Sequence, residues 1–325
     1  MKTLRTLSMT VLAPVALLGL GLGLGLGCGA ATSHPVAEAK LGTASSPLAM
    51  EAVIDEPGPV AVETVVGAGW HVPLSGLLNL DHPEARAARL EDREETIHVA
   101  FHALHHPSRG TFLVDTGVER AIFEDPGSAA VRGLAAKFMH VGDMKRQTDT
   151  KSWIDAHGGR VSGVFLTHLH LDHVSGMRDV PAGTPVFVGP GETNERSFGN
   201  LFVAPSLDRA LEGKPAISTL VFAPESDGVL DVFGDATVFA IHVPGHTAGS
   251  TAYVIRSPSG PVLLTGDACH TSWGWEHGVE PGTFSADKPK SAESLARLRA
   301  LAARHPALDV RLGHQPLDRR VSASR

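Results

Sequence analysis

The sequence predicts an α/β fold in which two β-sheets are covered by helices. Short apolar runs rich in β-branched and aromatic residues recur along the chain, for example at residues 161–166 and 250–255. Between them lie helix-like segments, of which residues 292–305 place Leu295, Leu298 and Leu301 on one face. Hydrophobic residues make up 42% of the 325-residue chain, which is enough for a sizeable core. We therefore expect one layered α/β domain over residues 61–325.

The individual elements follow from these patterns and from the Gly and Pro residues between them. Strands are predicted at residues 97–104, 111–115, 161–166, 185–188, 218–222, 236–243, 250–255, 262–265 and 308–312. Helices are predicted at residues 150–157 and 292–305, the second with Ser291 as its N-cap.

The residues before this domain are typical of an export signal. Lys2 and Arg5 precede an apolar stretch at residues 9–27, and small residues follow. The stretch ends in L-G-L-G-C-G, which resembles a bacterial lipoprotein cleavage site with Cys28 as the lipidated residue. Ordinary secretion, with Cys28 left in the discarded peptide, is the alternative. We expect an exported, membrane-anchored lipoprotein, periplasmic or at the cell surface, and otherwise a secreted protein.

The next residues, 29–60, are rich in Ala, Ser, Pro and Glu and show little periodicity, which predicts a disordered tether. The formal net charge is −7 and the chain has no basic cluster, which argues against nucleic acid as a partner. The cysteines are Cys28 and Cys269, so we expect no intramolecular disulfide in the mature protein.

Residues 161–173 carry the strongest chemical signal. After a strand-like run, the chain reads T-H-L-H-L-D-H and places His168, His170, Asp172 and His173 within six positions. Residues two apart on an extended backbone point to the same side, so His168 and His170 can converge on one metal ion. Imidazole and carboxylate groups are the ligands that zinc and similar ions accept. A histidine-rich surface turn is the alternative in a chain with 18 histidines.

Further ligand-type residues follow in an order that resembles a known family. P-G-H-T-A-G-S supplies His246, L-L-T-G-D-A supplies Asp267, R-L-G-H-Q supplies His314, and F-L-V-D-T-G upstream supplies Asp115. Together with the H-x-H-x-D-H signature, this set is similar to that of the metallo-β-lactamase-fold hydrolases, over residues 62–316. One departure is Ser175, where the family usually has Gly. The resemblance implies a four-layer αβ/βα sandwich.

The resemblance also implies a site for two divalent metal ions, with Zn²⁺ as the expected ion. His168, His170 and His246 would hold one ion, Asp172, His173 and His314 the other, and Asp267 would bridge both. A hydroxide between the ions would be the nucleophile. Asp115 would support the metal-binding loop by hydrogen bonding without touching a metal. His242 lies near His246 in sequence, and we interpret it as a structural or rim histidine.

Within this family the C-terminal part is similar to the N-acyl-homoserine lactonases, which are quorum-quenching enzymes. The shared features are an aspartate, a Ser-Leu-x-Arg-Leu helix and a terminal Gly-His. His270 stands where those lactonases have a tyrosine that binds the substrate carbonyl and the leaving alkoxide. Its imidazole either donates a similar hydrogen bond or faces away. Trp273, Trp275 and Phe284 either wall an apolar pocket or are ordinary packing residues.

The predicted function is therefore the opening of a lactone ring, plausibly that of an acyl-homoserine lactone, with Asp172, Asp267 and His270 as catalytic residues. One alternative is a thioesterase of the hydroxyacylglutathione hydrolase type, which uses the same metals. Another is a non-catalytic zinc-binding surface protein. Asp267 at the bridging position argues against β-lactam hydrolysis. The expected partner is a small lactone or thioester substrate, and membrane contact is expected only through the lipid anchor.

Overall fold

Two β-sheets form the centre of the structure, a computed structural model that describes residues 29–194, 196–197 and 200–317. The predicted signal at residues 1–28, with Cys28, lies outside the described residues. The strands are β1 (Gly29–Ala30), β2 (Val36–Glu38), β3 (Thr43–Ala44), β4 (Ala61–Pro73), β5 (Glu94–His106), β6 (Gly110–Val114), β7 (Lys145–Arg146), β8 (Gly163–Phe165), β9 (Val186–Val188), β10 (Arg196–Ser197), β11 (Ile217–Thr219), β12 (Val229–Asp231), β13 (Val238–His242), β14 (Thr251–Ser257), β15 (Gly260–Leu264) and β16 (Asp309–Arg311).

Helices lie between and after the strands. The α-helices are α1 (Pro47–Glu51), α2 (Leu74–Leu77), α3 (Pro83–Ala87), α4 (Ala121–Glu124), α5 (Gly133–Phe138), α6 (Thr150–Ala156), α7 (Leu171–Val174), α8 (Asn200–Ala210), α9 (Ser272–His277) and α10 (Lys288–Arg304). Short 3-10 helices lie at Val141–Asp143, Ser175–Asp179, Glu192–Asn194, Pro224–Ser226 and Gly266–Ala268. None of the helices in the described ranges is long and apolar enough to cross a membrane.

The strands form one large sheet, a second large sheet and a small ribbon. The first sheet has the order β2-β11-β9-β8-β6-β5-β4-β7, the second has the order β16-β15-β14-β13-β12-β3, and β1 pairs with β10. In the first sheet β6, β8, β9 and β11 run parallel, whereas β4, β5 and β6 are joined antiparallel. In the second sheet β12 to β15 are antiparallel neighbours and β16 is parallel to β15.

Packing of the two sheets produces a four-layer sandwich. Phe112 and Phe165 of the first sheet meet Tyr253 and Leu264 of the second in a common buried cluster. The opposite face of the first sheet is covered by α6, α7 and α8, and that of the second by α1 and α10. Burial of apolar side chains on both faces of each sheet is the main favourable contribution to this arrangement. The αβ/βα sandwich predicted from the sequence is confirmed.

Each predicted strand and helix corresponds to an observed one, although some boundaries differ. The helix α10 begins at Lys288 instead of residue 292, and its N-cap is Asp287, whose carboxylate accepts a hydrogen bond from Lys290 N. A proline in the first turn favours this earlier start because its missing N–H is not needed there. Ser291, predicted as the N-cap, lies inside the helix and is buried.

The segment 29–60 differs from the disordered tether that its composition predicts. Its strand β2 is an edge of the first sheet and pairs with β11, and β3 is an edge of the second and pairs with β12. Met50, Ile54 and Val60 are buried in the clusters of the second sheet. The strands are two or three residues long, which is too short for a periodic pattern to show in the sequence. Tertiary pairing, not local propensity, orders this segment.

Candidate metal centre

The candidate ligands lie in loops at the ends of strands from both sheets. His168 and His170 lie in the loop after β8, and Asp172 and His173 lie in α7. His246 lies between β13 and β14, Asp267 in the 3-10 helix after β15, and His314 after β16. Since each of these strands ends at the same edge of the sandwich, residues far apart in sequence meet at one place.

Four side chains form the first group, and they are His168, His170, His246 and Asp267. His246 Nε2 lies 3.2 Å from His168 Nε2, 2.9 Å from His170 Nδ1 and 3.4 Å from Asp267 Oδ2. One ligand atom from each side chain lies within 4.8 Å of the others. Three nitrogens and one carboxylate oxygen can therefore surround a single cation.

The second group consists of Asp172, His173, Asp267 and His314. One ligand atom from each of these side chains also lies within 4.8 Å of the others. His314 Nε2 is 3.2 Å from Asp267 Oδ2 and 3.3 Å from Asp172 Oδ2. His173 Nε2 is 3.3 Å from Asp267 Oδ2. Asp267 belongs to both groups, so the geometry provides two neighbouring cation sites that share one carboxylate.

The donor set fits divalent metal ions. Within the part of the chain that the structure describes, Asp267 Oδ1 and His173 Nε2 are buried side-chain atoms without a hydrogen-bond partner. Buried polar atoms are seldom left in that state, because an unmade hydrogen bond costs about 1–3 kcal/mol. Imidazole nitrogens with carboxylate oxygens are the ligands that zinc accepts. All seven side chains of the two groups, which share Asp267, are thus of the right chemical type.

Four of the ligand histidines are held in place through their second ring nitrogen. These contacts of Nδ1 join His168 to Thr167 Oγ1 (3.0 Å), His173 to Asp115 Oδ2 (2.8 Å), His246 to Ser285 Oγ (3.1 Å) and His314 to His98 O (3.0 Å). A carbonyl or carboxylate oxygen only accepts, so Nδ1 of His173 and His314 carries the proton. When the ring is neutral, its Nε2 therefore points a lone pair into the site.

Asp115 occupies the supporting position expected for it. Its Oδ1 accepts a hydrogen bond from Thr167 N at 2.8 Å, and Oδ2 accepts from His173 Nδ1. The Thr167 hydroxyl lies 3.0–3.1 Å from both carboxylate oxygens and can only donate to them, so its lone pair is left for His168 Nδ1. Asp115 therefore orients one histidine of each group and belongs to neither.

Burial and charge set the protonation of these side chains. Burial lowers the pKa of His168 and of His246 well below the usual value, so both rings are neutral ligands. Burial acts in the same direction on His173, but the carboxylates of Asp267 and Asp115 outweigh it and raise the pKa of His173 well above its usual value. Burial would raise the pKa of Asp267, yet His314 and His173 hold it well below its usual range. A dication bound there would replace the protons that these histidines otherwise carry.

His270 lies next to the two groups and contacts Asp267, a member of both. Its Nε2 lies 3.0 Å from Asp267 Oδ2, and its Nδ1 lies 2.8 Å from Leu77 O and donates to it. The side chain is 1% exposed, and it is not among the described residues that line the adjoining cavity. Its imidazole therefore contacts Asp267 without lining the cavity, the space in which a substrate carbonyl would lie.

A cavity of ≈ 930 Å³ opens beside both groups, with His170, Asp172, His246, Asp267 and His314 in its wall. The apolar part of its lining consists of Ala31, Trp70, Val72, Pro73, Leu77, Ile97, Phe138, Met139, Leu169, Leu171, Val203, Leu207 and Phe284. Of the three aromatic residues proposed from the sequence as a pocket wall, Phe284 lines the cavity. Trp273 packs near Leu74 and Leu78, and Trp275 packs against the core beneath α10.

His242, interpreted from the sequence as a structural or rim residue, belongs to neither group. Its Nε2 contacts Ala248 O at 2.9 Å, and its ring stacks on Phe222 with centroids 5.7 Å apart. Burial lowers its pKa below the usual value.

Cys269 is buried next to the site, and burial raises the pKa of its thiol to about 12, so the reactive thiolate is suppressed at neutral pH.

Glu192 is a site residue that no pattern in the sequence indicates. It is 2% exposed, and its Oε1 accepts a hydrogen bond from Leu169 N at 2.7 Å. Its Oε2 accepts from Thr247 Oγ1 at 2.6 Å and from Gly249 N at 2.9 Å. One carboxylate thus joins the loop that carries His168 and His170 to the loop that carries His246. No motif surrounds it, since P-G-E-T reads as an ordinary turn.

We expect Glu192→Ala to weaken metal binding by about 10–100-fold, the range typical for residues that orient metal ligands. The variant keeps all the metal ligands, but the two loops that carry His168, His170 and His246 lose the carboxylate to which both donate hydrogen bonds. Competition with a chromophoric chelator measures the affinity. Asp149→Ala is the matched control, because Asp149 is also a buried acid (1% exposed) but caps α6 and is not in contact with either loop. Equal metal affinity in both variants would contradict the assigned role.

Comparisons with known proteins agree with this geometry. A family model described as the metallo-beta-lactamase superfamily matches residues 104–314. The chain is 30% identical over 222 residues to the N-acyl homoserine lactonase AttM of Agrobacterium fabrum, and the match covers 68% of this chain and 82% of that protein. It is 32% identical over 191 residues to the hydroxyacylglutathione hydrolase of Pseudomonas putida, with 58% of this chain and 56% of that protein covered.

Among solved structures, the fold is similar to that of a mutant of B. thuringiensis AiiA with N-decanoyl-L-homoserine bound at the active site. The TM-score is 0.57 at 19% identity, and the match covers 82% of this chain and 98% of that one. At this level of identity the likeness shows the shared fold alone.

Proposed function

Because the chain belongs to the metallo-beta-lactamase superfamily, we propose that it is a dinuclear metal hydrolase that opens the ring of N-acyl homoserine lactones. The superfamily membership and the lactonase relatives identify a hydrolase that cleaves ester bonds. The pair of ligand groups sharing Asp267 supports a dinuclear site. The lactone substrate and Zn²⁺ as the native ion are the finer parts of the proposal.

The observation that carries the proposal is the apolar cavity beside the ligands. Its ≈ 930 Å³ can hold a compact polar ring near Asp267 and an alkyl chain along the wall formed by Trp70, Ile97 and Leu207. Burial of each methylene group of such a chain contributes about 0.8 kcal/mol. An amphiphilic molecule with a hydrolysable ring and an acyl chain matches this division into a polar floor and apolar walls.

The residues of the chain would divide the reaction among them. When bound, two divalent ions would supply a water activated at neutral pH and would polarise the lactone carbonyl. Asp267 holds the two groups at a fixed separation, and His270 holds the Asp267 carboxylate. Asp172, on the cavity wall with a side chain 15% exposed, would take a proton from the attacking water and pass it to the ring oxygen as the ester C–O bond breaks. The product is the hydroxy acid, with its acyl chain still against the apolar wall.

The thioesterase alternative is less well supported by the cavity. The glutathione part of such a substrate carries two carboxylates, which need cationic partners. Leaving histidines aside, Lys145 is the one cationic side chain among the described residues of the lining, whereas Glu94 and Asp143 are acidic. This charge distribution opposes a thioester with two carboxylates more than it opposes an uncharged lactone.

The test is a panel of substrates assayed on one metal-loaded preparation. The panel contains acyl-homoserine lactones of short and long chain, S-lactoylglutathione, a cephalosporin, and a phosphodiester. We expect the lactones to be hydrolysed with the highest kcat/KM, with the long-chain members preferred. Preference for the thioester would replace the proposal with the thioesterase. Absence of turnover on every member would leave a non-catalytic metal-binding protein.

We also propose that the protein is exported and lipidated at Cys28, as the signal-like residues 1–28 predict. Stable anchoring needs more than one acyl chain, because each buried CH₂ adds about 0.8 kcal/mol of membrane affinity. The wild type is expected to partition with membranes and to carry lipid on an N-terminal Cys28, and Cys28→Ser is expected to carry none. Mass spectrometry of the purified N-terminus measures this directly. An unmodified N-terminus located after Cys28 would refute the anchor.

A further inference from the structure

The helix α5 presents large apolar side chains to solvent. None of its residues is buried, and Leu134 and Phe138 are 83% and 87% exposed. Residues four apart lie on the same face of a helix, so these two side chains form one apolar surface. Single exposed apolar residues are common on proteins, but adjacent large ones mark sites of interaction.

This surface borders the opening of the active-site cavity. Phe138 and Met139 belong to the cavity lining, together with Val203 and Leu207 of α8. The helices α5 and α8 are in contact, and Phe202 of α8 is 63% exposed. We refer to Leu134, Phe138 and Phe202 as the apolar rim. A molecule that enters the cavity on this side passes the rim first.

The N-terminal end of the described chain lies at the same place. Ala31 lines the cavity, and Gly29 and Ala30 pair with Ser197 and Arg196 beside α8. Thr32 and the backbone N–H of Ser33 donate hydrogen bonds to the Asp208 carboxylate of α8, the latter at 2.9 Å. The chain is thus fixed against the rim immediately after position 28.

The sequence immediately before this point is the most apolar of the whole chain. Residues 9–27 contain no charged residue, and they are followed by Cys28, one residue before the described chain begins. If a lipidated Cys28, as proposed above, or the apolar run itself attaches the protein to a membrane, the point of attachment is a few residues from Ala31. The cavity opening and the apolar rim are then held close to the lipid.

We propose that the apolar rim docks on a phospholipid membrane, so that the active-site cavity opens toward the bilayer. The charges fit this partner, since α5 and its N-cap contain Arg132 and Lys137 and no acidic residue, and cationic side chains favour anionic headgroups. Together with the proposed function, on which this step rests, the geometry means that acyl lactones enter from the membrane, where their chains partition.

The experiment uses the full-length chain in vesicles of phosphatidylcholine and phosphatidylglycerol with brominated acyl chains, which quench tryptophan fluorescence on contact. In Phe138→Trp the added tryptophan lies in the rim. In the matched control, Leu48→Trp, it replaces a residue that is 82% exposed on α1, at the outer face of the second sheet. The signal of the native tryptophans is subtracted with the wild type. We expect the residue at position 138 to lose most of its emission and the residue at position 48 to keep it.

The same samples also show the results that would overturn the docking proposal. Equal emission of the two added tryptophans in brominated vesicles would overturn the proposal. Protection of position 138 from an aqueous quencher without vesicles would show that a second copy, or residues 1–28, covers the rim, and would also overturn it. Since no substrate is used, these results do not depend on whether the enzyme is a lactonase. Quenching at position 138 without lactone turnover would retain the docking face and reject the proposed function.

Discussion

Replacement of Asp267 by alanine is expected to abolish turnover and to remove at least part of the bound metal. Asp267 is the residue common to both ligand groups, and its Oδ2 lies within 3.3 Å of a ring nitrogen of His173, His270 and His314. A metal ion contributes several kcal/mol to transition-state stabilisation, and each 1.36 kcal/mol is a factor of ten in rate. We therefore expect kcat to fall by about 10³-fold or more. Metal content from elemental analysis should fall from about two ions per chain in the wild type.

The control for this variant is His242→Ala. His242 is close to His246 in sequence, yet its Nε2 contacts the carbonyl of Ala248 and it belongs to neither group. Both metal content and turnover should stay near the wild-type values. Full metal occupancy in the Asp267 variant would contradict the bridging role, and a loss in His242→Ala equal to that in Asp267→Ala would show that any change in this region disturbs the site.

Replacement of His270 by alanine is expected to lower kcat by about 10–100-fold and to weaken metal binding, with KM little changed. The imidazole is held by Leu77 O on one side and lies 3.0 Å from Asp267 Oδ2 on the other. Its loss would leave the Asp267 carboxylate free to rotate and would open a polar void. This differs from the sequence-based hypothesis in which the His270 imidazole donates a hydrogen bond to the substrate.

Two further variants separate positioning of Asp267 from simple packing. In His270→Gln the amide group can take the place of Nε2 and keep a contact with Asp267, whereas in His270→Asn it can take the place of Nδ1 and keep the bond to Leu77 O. We expect the glutamine variant to recover more of the metal affinity and of kcat than the asparagine variant does. Metal affinity by chelator competition and kcat are the two readouts. Unchanged values in His270→Ala would make the residue a bystander.

The sequence predicted the fold and the candidate ligands because both depend on local patterns. The ligand residues stand in short motifs directly after strands, and the structure brings all seven of them into the two groups. The strand and helix positions follow from apolar periodicity. Supporting contacts are a different matter, because Glu192 and the Leu77 carbonyl come from short helical segments whose sequences contain no signal for their role. Which segment lies behind a ligand is decided by tertiary packing.

The same limit explains the errors at the two chain regions that lack periodicity. The tether at 29–60 has a composition that is typical of disorder, but two or three residues suffice for an edge strand once a partner strand exists. The long strand β4 was not predicted, since Gly67 and Gly69 interrupt its apolar pattern and a register shift lies between Val66 and Ala68. The edge strands depend on partner strands that are distant in sequence, and β4 contains a local irregularity of the β-ladder.

The edge strands β2 and β3 also determine when the fold can be completed during protein synthesis. Val36 pairs with Ile217 and Ala44 pairs with Leu230, so both strands are made long before their partners. At roughly 5–20 residues per second, the ribosome needs roughly 10–40 s to reach those partners. During that interval the early strands are extended segments with unpaired backbone groups, which are prone to pair with other chains. Translation that stops before residue 217 would release a product in which neither β2 nor β3 has its partner strand.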